Sequence, residues 1–519
     1  MKIVIKNPIF YNFQLVLLSL LPAALVAGPL IAEIIINIIA IAFVVDLLKN
    51  KNFQLLKNFI FFFFIIFYLI QIISLINSEI FSKSALNVFS YIRFILFAFG
   101  ACEIIKKNEI NLKFFYYFLS FTIFIVVCDG YFQYFNGQNI LGFPKYRPDR
   151  ISGFFNDDLI LGSYLTRIIP ILIGLTLFFK FKTKNIFYFN LLLILASALL
   201  IFLSGERASF LLMIIFMIII GFLIKIKIKT KLFISAIIIA SIALILTFNP
   251  TMYDRHITQF KTHLYQSENK TVLIEYLPMF RTSIKMFKEN PIIGLGPKSY
   301  RYYCDKKDYV SYYPLRPKTI DNTVIEIYFG WKEIRHLKID KIYVKEGDII
   351  DKGDKLFSYH FLPNGKQKYF FSIKEGRILK INTRNNDDEG TSYINNDWFA
   401  KIEPLRSPKK INTFLNGCNT HPHNTYIQLL AETGIIGFSL IFSLFILILY
   451  SITKHAFNLL FFGKRNFLDL EICLLANFFI ILWPLITTGN FFNNWLNIIS
   501  FFPLSIYLYI KQTKNDKRE

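Results

Sequence analysis

The chain is poor in cysteine, histidine and acid. Five cysteines occur in 519 residues. Cys102, Cys128 and Cys473 lie within apolar runs and read as packing residues. Cys304 and Cys418 instead fall in a long polar segment. The seven histidines include one close pair, His421 and His423. No convincing third and fourth ligand stands near that pair, so a metal site is not expected. His256, His263, His336, His360 and His455 read as solvated singles. The first apolar stretch lacks a small-residue cleavage site and a second follows at once, which marks an uncleaved helix rather than a signal peptide.

What is abundant is apolar. Hydrophobic residues make up 54% of the chain, 59 of them Phe, and the mean hydropathy is +0.45. A soluble domain would hardly stay dispersed with that balance, and runs of about 18 or more apolar residues read as bilayer-spanning helices. Lys and Arg number 58 against 35 acids, a net charge of +23. Such a charge suggests nucleic acid, but the lysines flank hydrophobic runs, so membrane orientation accounts for most of them and no nucleic-acid partner is expected.

The apolar runs predict an all-α polytopic membrane protein with about twelve transmembrane helices. They lie near 13–29, 31–48, 58–77, 86–105, 112–135, 160–180, 185–203, 208–224, 231–248, 426–451, 468–488 and 493–511. Residues 1–248 thus carry nine helices, 249–425 a large loop, and 426–519 three helices and a tail. Lysine clusters follow alternate helices: Lys49 to Lys57, Lys106 to Lys113, Lys180 to Lys184, Lys225 to Lys231, Lys454 to Arg465, and Lys511 to Arg518. The positive-inside rule makes that side cytoplasmic, together with both termini. The turn Ser204-Gly205-Glu206-Arg207 and the large loop then face outward.

A loop of that length should fold. Residues 279–288 show helical spacing, ended by Pro291, Gly294 and Gly296. From 322 to 404 short alternating runs predict an inserted β domain, with Asn364-Gly365 as a hairpin turn. Within it, Val344-Lys345-Glu346-Gly347-Asp348-Ile349-Ile350 and the residues to Phe357 resemble the half-motif of biotinyl/lipoyl-like barrel-sandwich domains, and 372–381 a weaker second half. Carrier domains of that type flank the modified lysine with Met or Asp. Lys366 has neither flank, which leaves a structural or partner-binding module.

His421-Pro422-His423-Asn424 precedes a long apolar run, with Gly434 and Gly437 further on. Together with Ser204-Gly205-Glu206-Arg207, Arg281 and the turn Pro291-Ile292-Ile293-Gly294-Leu295-Gly296-Pro297, this order resembles the O-antigen ligase / O-antigen polymerase family of bacterial envelope glycosyltransferases. The resemblance covers nearly the whole chain except the β insert. An imidazole at a helix mouth can take a proton near neutral pH, and arginine suits the charge of a departing diphosphate. The resemblance implies the same roles: His423 as base, Arg207 and Arg281 on the diphosphate, and a metal-independent, inverting transfer on a GT-C-like fold without a cofactor. Its partners would be an undecaprenyl-diphosphate-linked glycan, lipid A-core or another glycan acceptor, and the lipids of a bacterial inner membrane.

Asn424 reads equally as a helix cap and a substrate contact; His421 supports His423 without a role of its own. Gly434 and Gly437 read first as helix-packing positions. Intramembrane charge is costly and faces a partner or cavity, so Asp129 and Arg167 form an ion pair or line the donor cavity. Arg147 and Arg150 read as loop residues, with guidance of an anionic substrate as the alternative. On this topology Cys304 and Cys418 both face the oxidising side, which favours a disulfide. Competing readings are a polymerase or protein ligase of the same family, a transporter of lipid-linked sugars, and a non-catalytic scaffold.

Overall fold

The computed structural model describes the chain apart from residues 1–7, 52, 54–56, 108, 146, 148, 180–183, 262–275, 307, 312–324, 329–336, 352, 362–366, 373–375, 382, 387–390, 395–397, 404–417 and 517–519. His263, His336 and the Asn364-Gly365-Lys366 turn lie outside the described residues. Two compact units emerge: residues 1–311 with 417–519, and residues 312–416.

The first unit is a mostly helical, multi-pass membrane fold. Its helices are α1 (Pro8–Ala27), α2 (Pro29–Asn50), α3 (Phe59–Ser74), α4 (Phe81–Lys106), α5 (Glu109–Asn136), α6 (Leu161–Phe178), α7 (Lys184–Leu203), α8 (Arg207–Leu223) and α9 (Ile228–Phe248). They continue with the amphipathic α10 (Leu277–Glu289), then α11 (Thr425–Phe462), α12 (Asp469–Ile481) and α13 (Asn494–Asp516). Among the described residues, eight helices are long and apolar enough to cross a bilayer. The most enclosed, α6, packs against α12, and α4 against α2 and α13. No residue of α9 is fully buried, and although Ile245 packs against the core, most of that helix's apolar surface is left to lipid.

Contacts between chain-distant segments sort the helix ends. At one end, Arg465 Nη2 donates to Leu223 O at 2.6 Å, Lys225 N to Asp469 Oδ1 at 3.0 Å, and Lys514 pairs with Glu471. Lys225, Lys464, Arg465 and Lys514 lie here. At the other, Asn77 Nδ2 donates to Gly294 O at 3.1 Å, Arg255 Nε to Gly205 O at 2.9 Å, and Asn424 Nδ2 to Pro484 O at 2.9 Å. The segments 77–81, 137–160, 204–206, 249–259, 290–311, 418–424 and 482–493 therefore share one end of the bundle.

Two helices depart from the expected bounds. The stretch expected as a helix over 468–488 ends at Ile481, because Pro484 cannot continue the ladder. Helix α11 is interrupted at Gly434, whose φ of 63° and ψ of −166° lie where only glycine is at ease. The turn of Pro291 to Gly296 fills that break. Ile435 N donates to Pro291 O at 2.8 Å, Leu295 N to Ala431 O at 3.1 Å, and Gly296 N to Glu432 O at 2.9 Å. A β-carbon on Gly434 would stand 2.3 Å from Ile292 O, and one on Gly294 2.5 Å from Glu432 C. Both motif glycines thus serve a backbone-to-backbone contact. Glu432, fully buried in α11, seals it by accepting from Lys298 N at 2.9 Å and Tyr300 N at 3.0 Å.

The second unit is all β. Strands β1 (Ile325–Tyr328), β9 (Trp398–Glu403), β6 (Gly376–Ile381) and β3 (Ile349–Ile350) form one antiparallel sheet in that order. Strands β5 (Lys368–Phe371), β4 (Lys355–Phe361), β2 (Leu337–Ile342), β8 (Thr391–Ile394) and β7 (Thr383–Asn386) form the other. The two Gly-Asp turns hold β6 and Ser372: Gly347 N donates to Ile378 O at 2.7 Å and Gly353 N to Ser372 O at 2.7 Å. Ile339, Val344, Ile350, Leu356, Phe357, Ile378 and Ala400 close its core.

Candidate active site

Two polar clusters occupy the end of the bundle opposite the lysines. The first is built on the turn between α7 and α8. Glu206, buried there, accepts from Gly162 N at 2.7 Å, Ser163 N at 2.9 Å and Ser209 Oγ at 3.0 Å. It thereby meets the unsatisfied amides and positive dipole end of α6. Burial pushes its carboxyl up, while Arg150 and those amides pull it back.

Arg150 donates through Nε to Ser204 O at 3.1 Å and through Nη2 to Leu159 O at 3.3 Å. Arg255, also buried, donates to Gly205 O and to Gln259 Oε1, both at 2.9 Å, and pairs with Asp149 at 3.6 Å. This closeness needs Gly205: its φ is 68°, and a β-carbon would stand 2.4 Å from Asp149 O. Burial, together with the fields of Arg150 and Arg207, brings the Arg255 guanidinium down to about 9. Arg147 shares Asp149 at 3.2 Å. Arg147, Arg150, Arg207 and Arg255 thus gather around Asp149 and Glu206, leaving an excess of positive charge, the field that attracts a polyanion.

Arg167 lies inside α6, 7% exposed, and donates to Ser163 O at 2.9 Å and to the Ser163 hydroxyl. It does not pair with Asp129, which overturns the expected ion pair. The segment 137–143 folds back over α5, so Asp129 Oδ1 accepts from Ile140 N at 2.9 Å, while the charge facing Arg167 is Glu206. His256 is likewise no solvated single. It stacks on Phe202 with centroids 4.1 Å apart, and its Nε2 lies 3.0 Å from Phe202 O. His455 is fully buried in α11, where Nδ1 accepts from Asn466 N at 3.2 Å. Short polar segments that return to the bundle cover both rings.

Burial first of all, and then Arg255, lowers His256 to about 4. A folded value below the unfolded 6.5 means that the unfolded chain takes up a proton first as pH falls. The stabilisation is therefore complete above pH 6.5 and is lost as pH falls through about 4. Thermal midpoints of the detergent-solubilised protein should drop over that window, and less steeply in His256→Gln.

The second cluster surrounds the His pair. Asn424 caps α11, accepting from Tyr426 N at 3.0 Å and Ile427 N at 3.1 Å. Its amide donates to Pro484 O at 2.9 Å, so the carbonyls freed where α12 stops hold the cap in place. His423 takes φ 57°, a left-handed conformation uncommon outside glycine. Its carbonyl accepts from Thr488 N at 2.9 Å, and the ring stands 4.1 Å from that of His421 and 5.3 Å from that of Tyr276. In the tautomer protonated on Nδ1, Nε2 accepts from Asn419 Nδ2 at 3.1 Å, the role of a base nitrogen. His421 is held between the Thr420 hydroxyl at 2.9 Å and Thr488 O at 3.2 Å; burial lowers its pKa. Asn424→Ala should cost about 1–2 kcal/mol for the lost cap, read as a lower thermal midpoint.

A disulfide joins Cys304 to Cys418, Cα atoms 4.9 Å apart, and closes the chain just before the His pair. Arg281 is exposed on α10, which packs on α11. Its neighbour Phe280 lies 6.4 Å from Tyr276, the ring beside His423.

Three contributors were not anticipated. Arg255 stands in the short polar segment after α9, and its place on the same face as Ser204 to Arg207 was the available signal. Arg301, exposed beyond the Gly-x-Gly turn, adds positive charge near His421. The segment 482–493, expected partly as helix, supplies the backbone that positions His421, His423 and Asn424.

Residues 191–331 match the family described as O-antigen ligase. No curated protein matches the chain. The matched stretch holds Arg207, Arg255, Arg281 and the Pro291 to Gly296 turn, while His421 and His423 lie beyond it. Over those residues, the chain is similar to the O-antigen ligase family.

Proposed function

We propose that this protein is a glycosyltransferase that moves a glycan from undecaprenyl diphosphate to an acceptor hydroxyl, on lipid A-core, at the periplasmic face of the inner membrane. One observation carries the reading: the arginine cluster and His423 stand at the same end of the bundle, opposite the lysine-rich end. The positive-inside rule puts the lysines and both termini in the cytoplasm, and hence the two clusters outside.

In the proposed step His423 takes the acceptor's proton as its oxygen bonds to the anomeric carbon. The bond from that carbon to the diphosphate oxygen breaks, and the diphosphate leaves with the electron pair. Arg207 and Arg281 bind it, with Arg150 and Arg255 adding to the field. Attack from the face opposite the leaving group inverts the anomeric centre, and the chemistry asks for no metal. Asp129, shut away beneath Ile140 and Gly153, is better assigned to folding the outer loop than to donor binding. His421 and Asn424 hold the base in place, and Arg167 sets Ser163 and the α6 end beside Glu206.

A polymerase, whose acceptor is another lipid-linked repeat, uses the same groups. Cells lacking the chain separate the two: a lost lipopolysaccharide ladder with accumulated lipid-linked polymer means ligase, whereas accumulated single repeats mean polymerase. An unchanged ladder and no accumulated donor would refute both. A transporter is disfavoured, because the polar groups gather at one end rather than near the midplane of repeated halves.

A further inference from the structure

We propose that the outward face of the five-stranded sheet in residues 312–416 is a binding platform for an acidic glycan. The choice of a glycan rests on the transferase reading above. Strand β4 lies between β5 and β2, and one face of this trio closes the core with Phe357, Tyr359 and Ile339. The opposite face leaves large rings in water: Tyr343 is 41% exposed, Tyr369 42% and Phe371 45%. They form a row, with Tyr343 and Tyr369 centroids 6.3 Å apart and Tyr369 and Phe371 6.4 Å apart. Clustered apolar exposure of this kind marks an interaction surface.

Charge narrows the occupant. Lys341 Nζ sits 5.5 Å from the Tyr343 centroid and Lys355 Nζ 4.5 Å from that of Tyr369. Strand register brings Lys341 and Tyr369 to either side of Ser358. Among the described residues, four carboxylates of this unit are engaged within it. Asp348 accepts from Lys345 N at 2.7 Å, Asp354 from Asp351 N at 2.7 Å, Glu346 from Ile381 N at 3.0 Å, and Asp340 pairs with His360 at 2.6 Å. Lys341 and Lys355 thus flank the ring row in a unit, residues 312–416, that carries 19 Lys and Arg against 14 Asp and Glu, a balance that favours an anionic partner.

The C–H face of a pyranose packs flat against an aromatic ring. Tyrosine hydroxyls and lysines beside such rings suit sugar hydroxyls and carboxylates. A bilayer would instead call for apolar side chains projecting along one helix face or loop tip. Here two rings lie on β5 and the third just beyond the end of β2, and two of the three carry hydroxyls.

The test uses the full chain in phosphatidylcholine nanodiscs. The probes are oligosaccharides of alternating glucuronate and N-acetylglucosamine, with dextran of equal length as the uncharged control. The acidic probe should bind more tightly than dextran. Tyr343→Ala with Tyr369→Ala should weaken it by about tenfold or more, Tyr343→Phe with Tyr369→Phe should keep most of the affinity, and Lys341→Gln with Lys355→Gln should remove the preference over dextran. Unchanged affinity in the double alanine variant overturns the proposal. So does protection of the ring strands from hydrogen exchange by phosphatidylglycerol nanodiscs but not by the sugar, which would assign the face to the membrane. Binding is read without transfer, so full transfer by His423→Ala would refute the base assignment and leave this measurement intact.

Discussion

Replacing His423 with alanine is expected to lower glycan transfer by about 10²–10⁴-fold, the contribution of a positioned general base, with the protein still folded. The side chain is partly exposed at the helix mouth, and the backbone is held by contacts that do not depend on the ring. Thr488 N bonds to its carbonyl, and Asn424 and the Cys304–Cys418 disulfide fix the segment on either side. A left-handed residue that is not glycine stores strain of about 1 kcal/mol or more, and such strain persists where the surroundings impose it. Alanine there keeps the backbone hydrogen bonds and loses only the imidazole. The loss should fall on kcat, because a proton transfer made in the transition state does little for ground-state binding. A matched fall in affinity for the lipid-linked donor would instead make His423 a binding residue.

Gly434→Ala is expected to remove the folded protein, not merely its activity. The position combines a backbone conformation open only to glycine with a β-carbon 2.3 Å from Ile292 O and 2.6 Å from Ile293 N. Neither neighbour can yield, since both are backbone atoms of the turn whose hydrogen bonds close the break. The penalty should be about 4 kcal/mol or more, in the range reserved for special backbone positions and overpacking. Gly437→Ala makes a useful contrast, because the backbone there is not left-handed and the added carbon meets the Thr433 side chain, which must shift, rather than backbone atoms of the turn. Size-exclusion profiles and thermal midpoints of the two variants in detergent would show it. A Gly434→Ala protein that melts with the wild type would mean that the turn does not dock there.

Much of this architecture is written in residue patterns with long range along the chain. Apolar runs and alternating lysines place most helices within a few residues, because each span must satisfy its own backbone inside lipid; α11 runs to Phe462, well past the expected 451. The exceptions are informative. At 482–493 a proline ends the helix early, and the freed carbonyls find their use only against Asn424, which no local pattern encodes. Gly434 sits in an apolar run where glycine ordinarily marks close helix packing. Its true role depends on Pro291 to Gly296, far away in sequence. Arg255, too, acquires meaning only when residues 249–259 fold over the Ser204 to Glu206 turn. The pairing of Asp129 with Arg167 failed for the same reason: nearby backbone amides and Glu206 offered each charge a closer partner than sequence order suggested.

The central claim is that one end of the bundle carries out transfer with a histidine base and arginines for the diphosphate. Its most direct test is transfer in proteoliposomes from purified lipid-diphosphate-linked glycan to acceptor, comparing wild type with His423→Ala, Arg207→Ala and Arg281→Ala. The account predicts transfer by the wild type and a large loss in each variant, with all four proteins equally folded. Full activity in all three variants would contradict it.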